Sequence, residues 1–172
     1  VQAIQWASRK GLKLHITGVD NHHTTLELAD AYINAQAQSL GSTRDSIDLR
    51  CMDALKLDLN FAPKSIDYVH AGLFLHHLQN EDVVTVLASM NRIARCGIIW
   101  NDLVRSRIGY ATIWLATLGQ EKMIQHDARA SVAAGFTRSE AIQLAVQAGV
   151  MQPQYRWNLF THRFVLTSIK QA

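Results

Sequence analysis

Short β-prone runs alternate with helical stripes along this 172-residue chain, and the runs end on carboxylates or small residues. Residues 12–19 (LKLHITGV) read as a strand stopping at Asp20, and residues 47–52 as a second stopping at Asp53. Residues 66–71, opened by a Pro63–Lys64–Ser65 turn, read as a third strand ending at Ala71 and Gly72. Residues 98–100 make a short fourth one before Asn101 and Asp102. Val1, Ile4 and Ala7 mark a helix that Gly11 closes. Thr24 or Thr25 can cap the next helix, which runs through Leu28, Ala31, Tyr32 and Ala35 to Leu40, with Gly41 after it. Val83, Val84, Leu87, Met90, Ile93 and Ala94 form a stripe over residues 81–94, with Gly97 as the stop. Residues 104–124 read as one helix, most apolar around Ile113, Trp114 and Leu115. Thr137, Ser139 or both can start a last helix that runs to Gly149, with Glu140 as capping partner.

Residues 154–158 and 163–169 are two β-rich runs close in sequence, which predicts an antiparallel pair. Alternating strands and helices closed by such a hairpin predict an α/β fold, a three-layer sandwich around a mostly parallel sheet. With 48% apolar residues the chain can bury a core, and residues 1–172 are expected to form a single domain. Residue 1 is Val where translation would place Met, so the chain is expected to be an N-terminally truncated piece.

Seventeen Lys and Arg against fourteen Asp and Glu leave +3 with His neutral. Even the densest basic group, Arg92, Arg95, Arg105 and Arg107, is broken by apolar stretches, so no nucleic-acid partner is expected. The two cysteines, Cys51 and Cys96, sit in apolar segments and read as reduced core thiols. Arg9 and Lys10 come too early for a signal peptide, and the weakly polar run 108–118 falls short of the roughly 20 residues of a membrane span. A cytoplasmic protein with no membrane span is the expectation.

Ligands of open parallel sheets bind beyond the carboxyl ends of the strands. Asp20 there suits a grip on vicinal ribose hydroxyls, Asp53 could accept from an exocyclic adenine amine, and Gly72 would let backbone approach a ligand. Either aspartate could equally be a turn former or helix cap. Trp100 and Trp114 read as core residues. The eight histidines lack metal-site spacing, and no metal is expected. His15, His70 and His162 read as structural, whereas His76, His77 and His126 fall near the loops that should rim a pocket and are acid–base candidates.

The order GVDNHHTTLELA, RCMDALKL, SIDYVHAGLFLHHLQNEDVV resembles the class I methyltransferases that use S-adenosylmethionine, within them the bacterial small-molecule enzymes of the ubiquinone- and menaquinone-biosynthesis type. The stretch NDLVRSRIGYATIWL and the later HDARASVAAGFTRSEAIQLAVQAGV resemble a branch associated with polyketide or phenolic products. The resemblance implies a Rossmann-like sheet with a reversed last strand. It implies that Asp20 holds the ribose, that Asn21 lies beside the adenosine, and that Met52, Asp53 and Ala54 frame the adenine. Ala71 and Gly72 would face the methionine part, His76 and His77 would follow on the acceptor side, and residues 104–118 would line a pocket for a small aromatic or lipophilic acceptor. His77 or His126 would be the base for a phenolic acceptor.

The family opens with a strand and a G-x-G-x-G loop, and here no two glycines lie closer than seven positions. The first central strand is therefore expected to be absent. The strands ending at Asp20 and Ala71 would then pair directly, take a strand from another chain in a homo-oligomer, or leave a gap. A non-catalytic, truncated methyltransferase-like binding or oligomerisation protein is the alternative function. A nicotinamide-dependent oxidoreductase is a further one, against which the closing hairpin argues.

Overall fold

The computed structural model describes residues 2–36, 46–158 and 160–170. The chain divides into two compact units, Val1–Lys56 and Leu57–Ala172, each described by itself.

In the first unit, α1 (Gln2–Arg9) buries Ile4 and Ala7. It ends at Gly11, whose φ of +68° lets its N–H reach Ser8 and the N–H of Leu12 reach Ala7. The strand β1 (Ile16–Asp20) begins later than residue 12, because its parallel partner β2 (Ile47–Cys51) offers Ile47 opposite Ile16 as its first pair. Helix α2 (His23–Ala35) starts at His23 with neither Thr24 nor Thr25 as cap. The Asp20 carboxylate takes the N–H of His22 at 2.7 Å and turns the chain into the helix early. The expected continuation of this helix to Leu40 and Gly41 lies outside the described residues, as does Val1. Ile4 and Ile33 form this unit's core, with Ile16, Ile47 and Leu49 packed against them. Cys51 is exposed on β2, not a core thiol.

The second unit opens with the single turn α3 (Leu57–Asn60), followed by β3 (Ile66–Gly72), a 3-10 turn (Leu75–His77), α4 (Asn80–Ile93) and β4 (Ala94–Leu103). Then come α5 (Arg107–Ala116), α6 (Lys122–Ala134), α7 (Arg138–Gln147), β5 (Gln154–Asn158) and β6 (Arg163–Ile169). The sheet order is β3-β4-β6-β5; β3 and β4 run parallel, and β6 is antiparallel to both β4 and β5. The expected α/β class with its closing hairpin is thus what the chain forms. β1 pairs with β2 and β3 with β4, so among the described residues β1 and β3 share no ladder.

Helix α4 sets Val83, Val86, Leu87, Met90 and Ile93 in the interior and packs on β3, β4 and α7. Gly97 does not stop it: the backbone turns extended at Ala94, and β4 runs ten residues straight through Gly97. The expected single helix over 104–124 is two, because residues 117–121 break it around Gly119 at φ +87°. Thr137 is the cap of α7, in a box with Glu140, and Ser139 lies inside the helix. Trp100 is fully buried, its ring edge-on to Phe136 (4.9 Å) and Phe164 (5.1 Å). Trp114 is 44% exposed on α5 and does not join the core. His15 precedes β1 exposed, and His162 sits at φ +49° in the turn before β6. No helix among the described residues is long and apolar enough to cross a membrane.

Candidate functional site

The parallel pair β1–β2 brings five of the expected cofactor residues to one end of a ladder. Asp20 stands opposite Cys51 in register, and the N–H of Met52 donates to the Asp20 carbonyl at 2.9 Å. Asp53 and Ala54 follow directly, half-buried, while Asn21 is exposed and its carbonyl lies 3.8 Å from the Cys51 thiol. Each aspartate also forms its own turn: Asp20 Oδ1 accepts from His22 N at 2.7 Å, and Asp53 Oδ1 from Leu55 N at 2.9 Å. These bonds make the turn-former reading true of both, yet each occupies only Oδ1. Oδ2 of each accepts no hydrogen bond from any described residue. Two carboxylates pinned by local backbone, each with an acceptor oxygen to spare at adjacent strand ends, have the chemistry that ribose hydroxyls and an adenine amine require.

In the second unit β3 delivers Ala71, buried, and Gly72, exposed. A Cβ at Gly72 would meet the His70 ring at 2.8 Å, so the backbone there is bare beside an imidazole. Burial lowers the His70 pKa. Leu73, at φ +52°, donates its N–H to the Asn101 carbonyl at 2.8 Å and swings the chain into the turn carrying His76 and His77.

His76 is buried there, with Nδ1 2.6 Å from Asp102 Oδ1. Asp102, fully buried in β4, also accepts from Trp100 Nε1 at 3.2 Å and from Leu103 N at 2.9 Å. A carboxylate oxygen accepts, so in this contact Nδ1 of His76 is the donor. The exposed His77 ring lies 4.0 Å from that of His76 at a 40° tilt. Desolvation and the neighbouring His76 hold the His77 pKa below its usual value, against the opposing pull of Asp102.

His126 stands on α6, exposed, 3.6 Å from Asp127. It lines a cavity of about 440 Å³ with Tyr110 of α5 and with Lys122, Gln125, Arg129, Ala130 and Ala133 of α6. Helix α6 packs against the turn that carries His76 and His77. The pairing of His76 with Asp102 is what sequence reasoning missed. Asp102 is visible there only as a strand end, although a carboxylate inside the apolar run 98–104 is itself a sign of a buried partner.

A family model described as a methyltransferase domain matches residues 1–99 of the chain. No curated protein matches it. Among solved structures it is similar to a candidate O-methyltransferase of Nostoc punctiforme (20% identity, TM-score 0.65, 98% of this chain and 47% of that one). It is also similar to PigF solved with SAH (18%, TM-score 0.60, 99% and 46%). A third is the plantazolicin methyltransferase BamL, in complex with a triazolic desmethylPZN analog and SAH (14%, TM-score 0.67, 99% and 73%). The chain spans about half the length of the first two. At these identities the likeness is one of fold.

Proposed function

The chain belongs to the methyltransferase-domain family, and on that premise we propose that it transfers a methyl group from S-adenosylmethionine to a small acceptor of aromatic or lipophilic character. Residues 1–172 act in this reading as one methyltransferase-like domain. The observation that carries it is the pair of strand-end carboxylates, Asp20 and Asp53, each with Oδ1 fixed by a backbone N–H. Asp20 binds the ribose hydroxyls with Asn21 beside the adenosine; Met52, Asp53 and Ala54 frame the adenine, and Ala71 and Gly72 face the methionine part. S-adenosylmethionine supplies a methyl already activated on sulfonium sulfur. The chain's own groups therefore bind, orient and keep water out. His77, neutral to lower pH than an ordinary histidine, and His126, on the cavity wall, are the candidate bases for a phenolic proton.

Calorimetry with S-adenosylhomocysteine tests the reading. Binding is expected, and Asp20→Ala should weaken it by about tenfold to a hundredfold, the worth of hydrogen bonds to a charged group. No heat at millimolar ligand, or the same affinity in the variant, would refute it. A second reading, a non-catalytic methyltransferase-like protein that binds or oligomerises, is favoured by one observation, the absence of G-x-G-x-G from these 172 residues. It requires S-adenosylhomocysteine binding without methyl transfer to any phenol offered, and a dimer in sedimentation.

A further inference from the structure

We infer that the cavity between α5 and α6 is a carboxylate-binding pocket, so that the small molecule it takes is a planar acid rather than a neutral lipophile. Calling that molecule the methyl acceptor rests on the proposed function; the carboxylate pocket itself does not. Lys122, Gln125, His126, Arg129, Ala130 and Ala133 recur at helical spacing along one side of α6, and Tyr110 of α5 completes the lining. Arg129 is held in place by a relay: its Nη2 donates to Gln125 Oε1 at 2.9 Å, and Gln125 Nε2 donates to the Gln120 carbonyl at 2.9 Å. The Arg129 Nε–H is buried and has no hydrogen-bond partner among the described residues. A buried donor is normally satisfied, and the residue that carries this one is part of the cavity wall.

A guanidinium fixed by one edge, with a further N–H to give, matches a carboxylate oxygen pair, and Lys122 adds a second positive charge to the lining. Neither nearby carboxylate is among the lining residues: Asp127 lies beside His126 at 3.6 Å, and Glu121 is the N-cap of α6. Tyr110, Ala130 and Ala133 give the apolar part that a flat ring needs, and about 440 Å³ lies within the ordinary range of small-molecule sites.

The test compares 4-hydroxybenzoate with 4-hydroxybenzamide, its uncharged counterpart, by calorimetry on the whole chain. The acid should bind at least tenfold more tightly. Arg129→Gln should erase the preference, and Lys122→Gln, at an exposed position where folding is not at stake, should reduce it severalfold. Equal affinity for the two probes, binding of neither, or an undiminished preference in both variants would overturn the inference. Titrating S-adenosylhomocysteine into the same samples separates the two readings. A carboxylate preference without nucleoside binding leaves the pocket standing and removes the methyltransferase reading. Nucleoside binding without the preference removes only the pocket.

Discussion

Asp102 Oδ1 lies 2.6 Å from Nδ1 of His76, and both side chains are cut off from solvent, at 0% and 5% exposure. β4 lies between β3 and β6, so a carboxylate on it must be compensated inside the protein or not be ionised. Three donors compensate it: His76, the Trp100 indole and the Leu103 amide. Asp102→Asn preserves the shape but replaces one acceptor oxygen with a donor, so at least one donor is left facing an N–H. The variant should lose about 1.5–3 kcal/mol, the value of a hydrogen bond to a charged group, in urea unfolding. A loss within the noise of a surface substitution would show that the three bonds do not hold the carboxylate.

The same pair also acts on the titration of His77. Its pKa is lowered by burial first and by the proximity of His76 second, with Asp102 pulling the other way. Protonated His77 is therefore disfavoured in the folded state. The stability linked to it is fully present above the ordinary value of 6.5 and is lost as pH falls below that. In NMR titrations the His77 midpoint should lie below 6.5. Asp102→Asn removes the upward pull and should move it lower still, whereas His76→Gln should move it up. Shifts of the opposite sign in the two variants would contradict the assignment of causes.

The elements that could be read from the sequence are those whose signals are local. Asp20 and Asp53 mark strand ends because each turns its own chain two residues on. Thr137 and Glu140 announce a helix start for the same reason. What could not be read depends on partners distant in sequence. His76 and Asp102 are 26 residues apart, and nothing in either neighbourhood specifies the other. The first pair of β1 with β2 is Ile16 with Ile47, and residues 12–15, strand-like in composition, join no ladder among the described residues. Trp114 is of a core-forming residue type, yet it is 44% exposed on a helix that ends at Ala116.

The capping box of α7 carries a pH signature. Burial pushes the Glu140 pKa up, but the Thr137 amide and hydroxyl and the Arg105 guanidinium together outweigh it, so the net shift is downward from 4.5. A depressed carboxylate stabilises the fold above its unfolded value, and that contribution disappears as pH falls through the folded one. The unaltered chain should thus lose stability between about pH 5 and about pH 3 more steeply than Glu140→Gln. Thr137→Ala removes the acceptor for Glu140 N and should cost about 0.5–2 kcal/mol near neutral pH. Identical acid slopes for Glu140→Gln and the unaltered chain, measured by thermal melts across that range, would refute the linkage.

Gly97 is a glycine for a reason unrelated to helix termination. It is buried in β4, opposite Ile169 of β6, and it is not among the glycines at positive φ, which are Gly11, Gly119 and Gly149 among the described residues. Conformational freedom is therefore not what the position needs; space is. A Cβ there would meet the Ser168 carbonyl oxygen at 2.5 Å, with Ile169 Cδ1 at 3.2 Å and Ile169 Cα at 3.3 Å. The closest of these is backbone, and no rotamer change can relieve it. The two strands must separate locally, which strains the ladder that also receives Lys170 N–H on the Cys96 carbonyl at 2.8 Å. Gly97→Ala should lower the free energy of unfolding by about 1–3 kcal/mol, the cost of overpacking a filled interior. Adding Ile169→Ala to it should restore none of that loss, because the obstacle is the Ser168 carbonyl rather than the isoleucine side chain. Recovery in the double variant, read from urea midpoints, would place the clash on Ile169 instead.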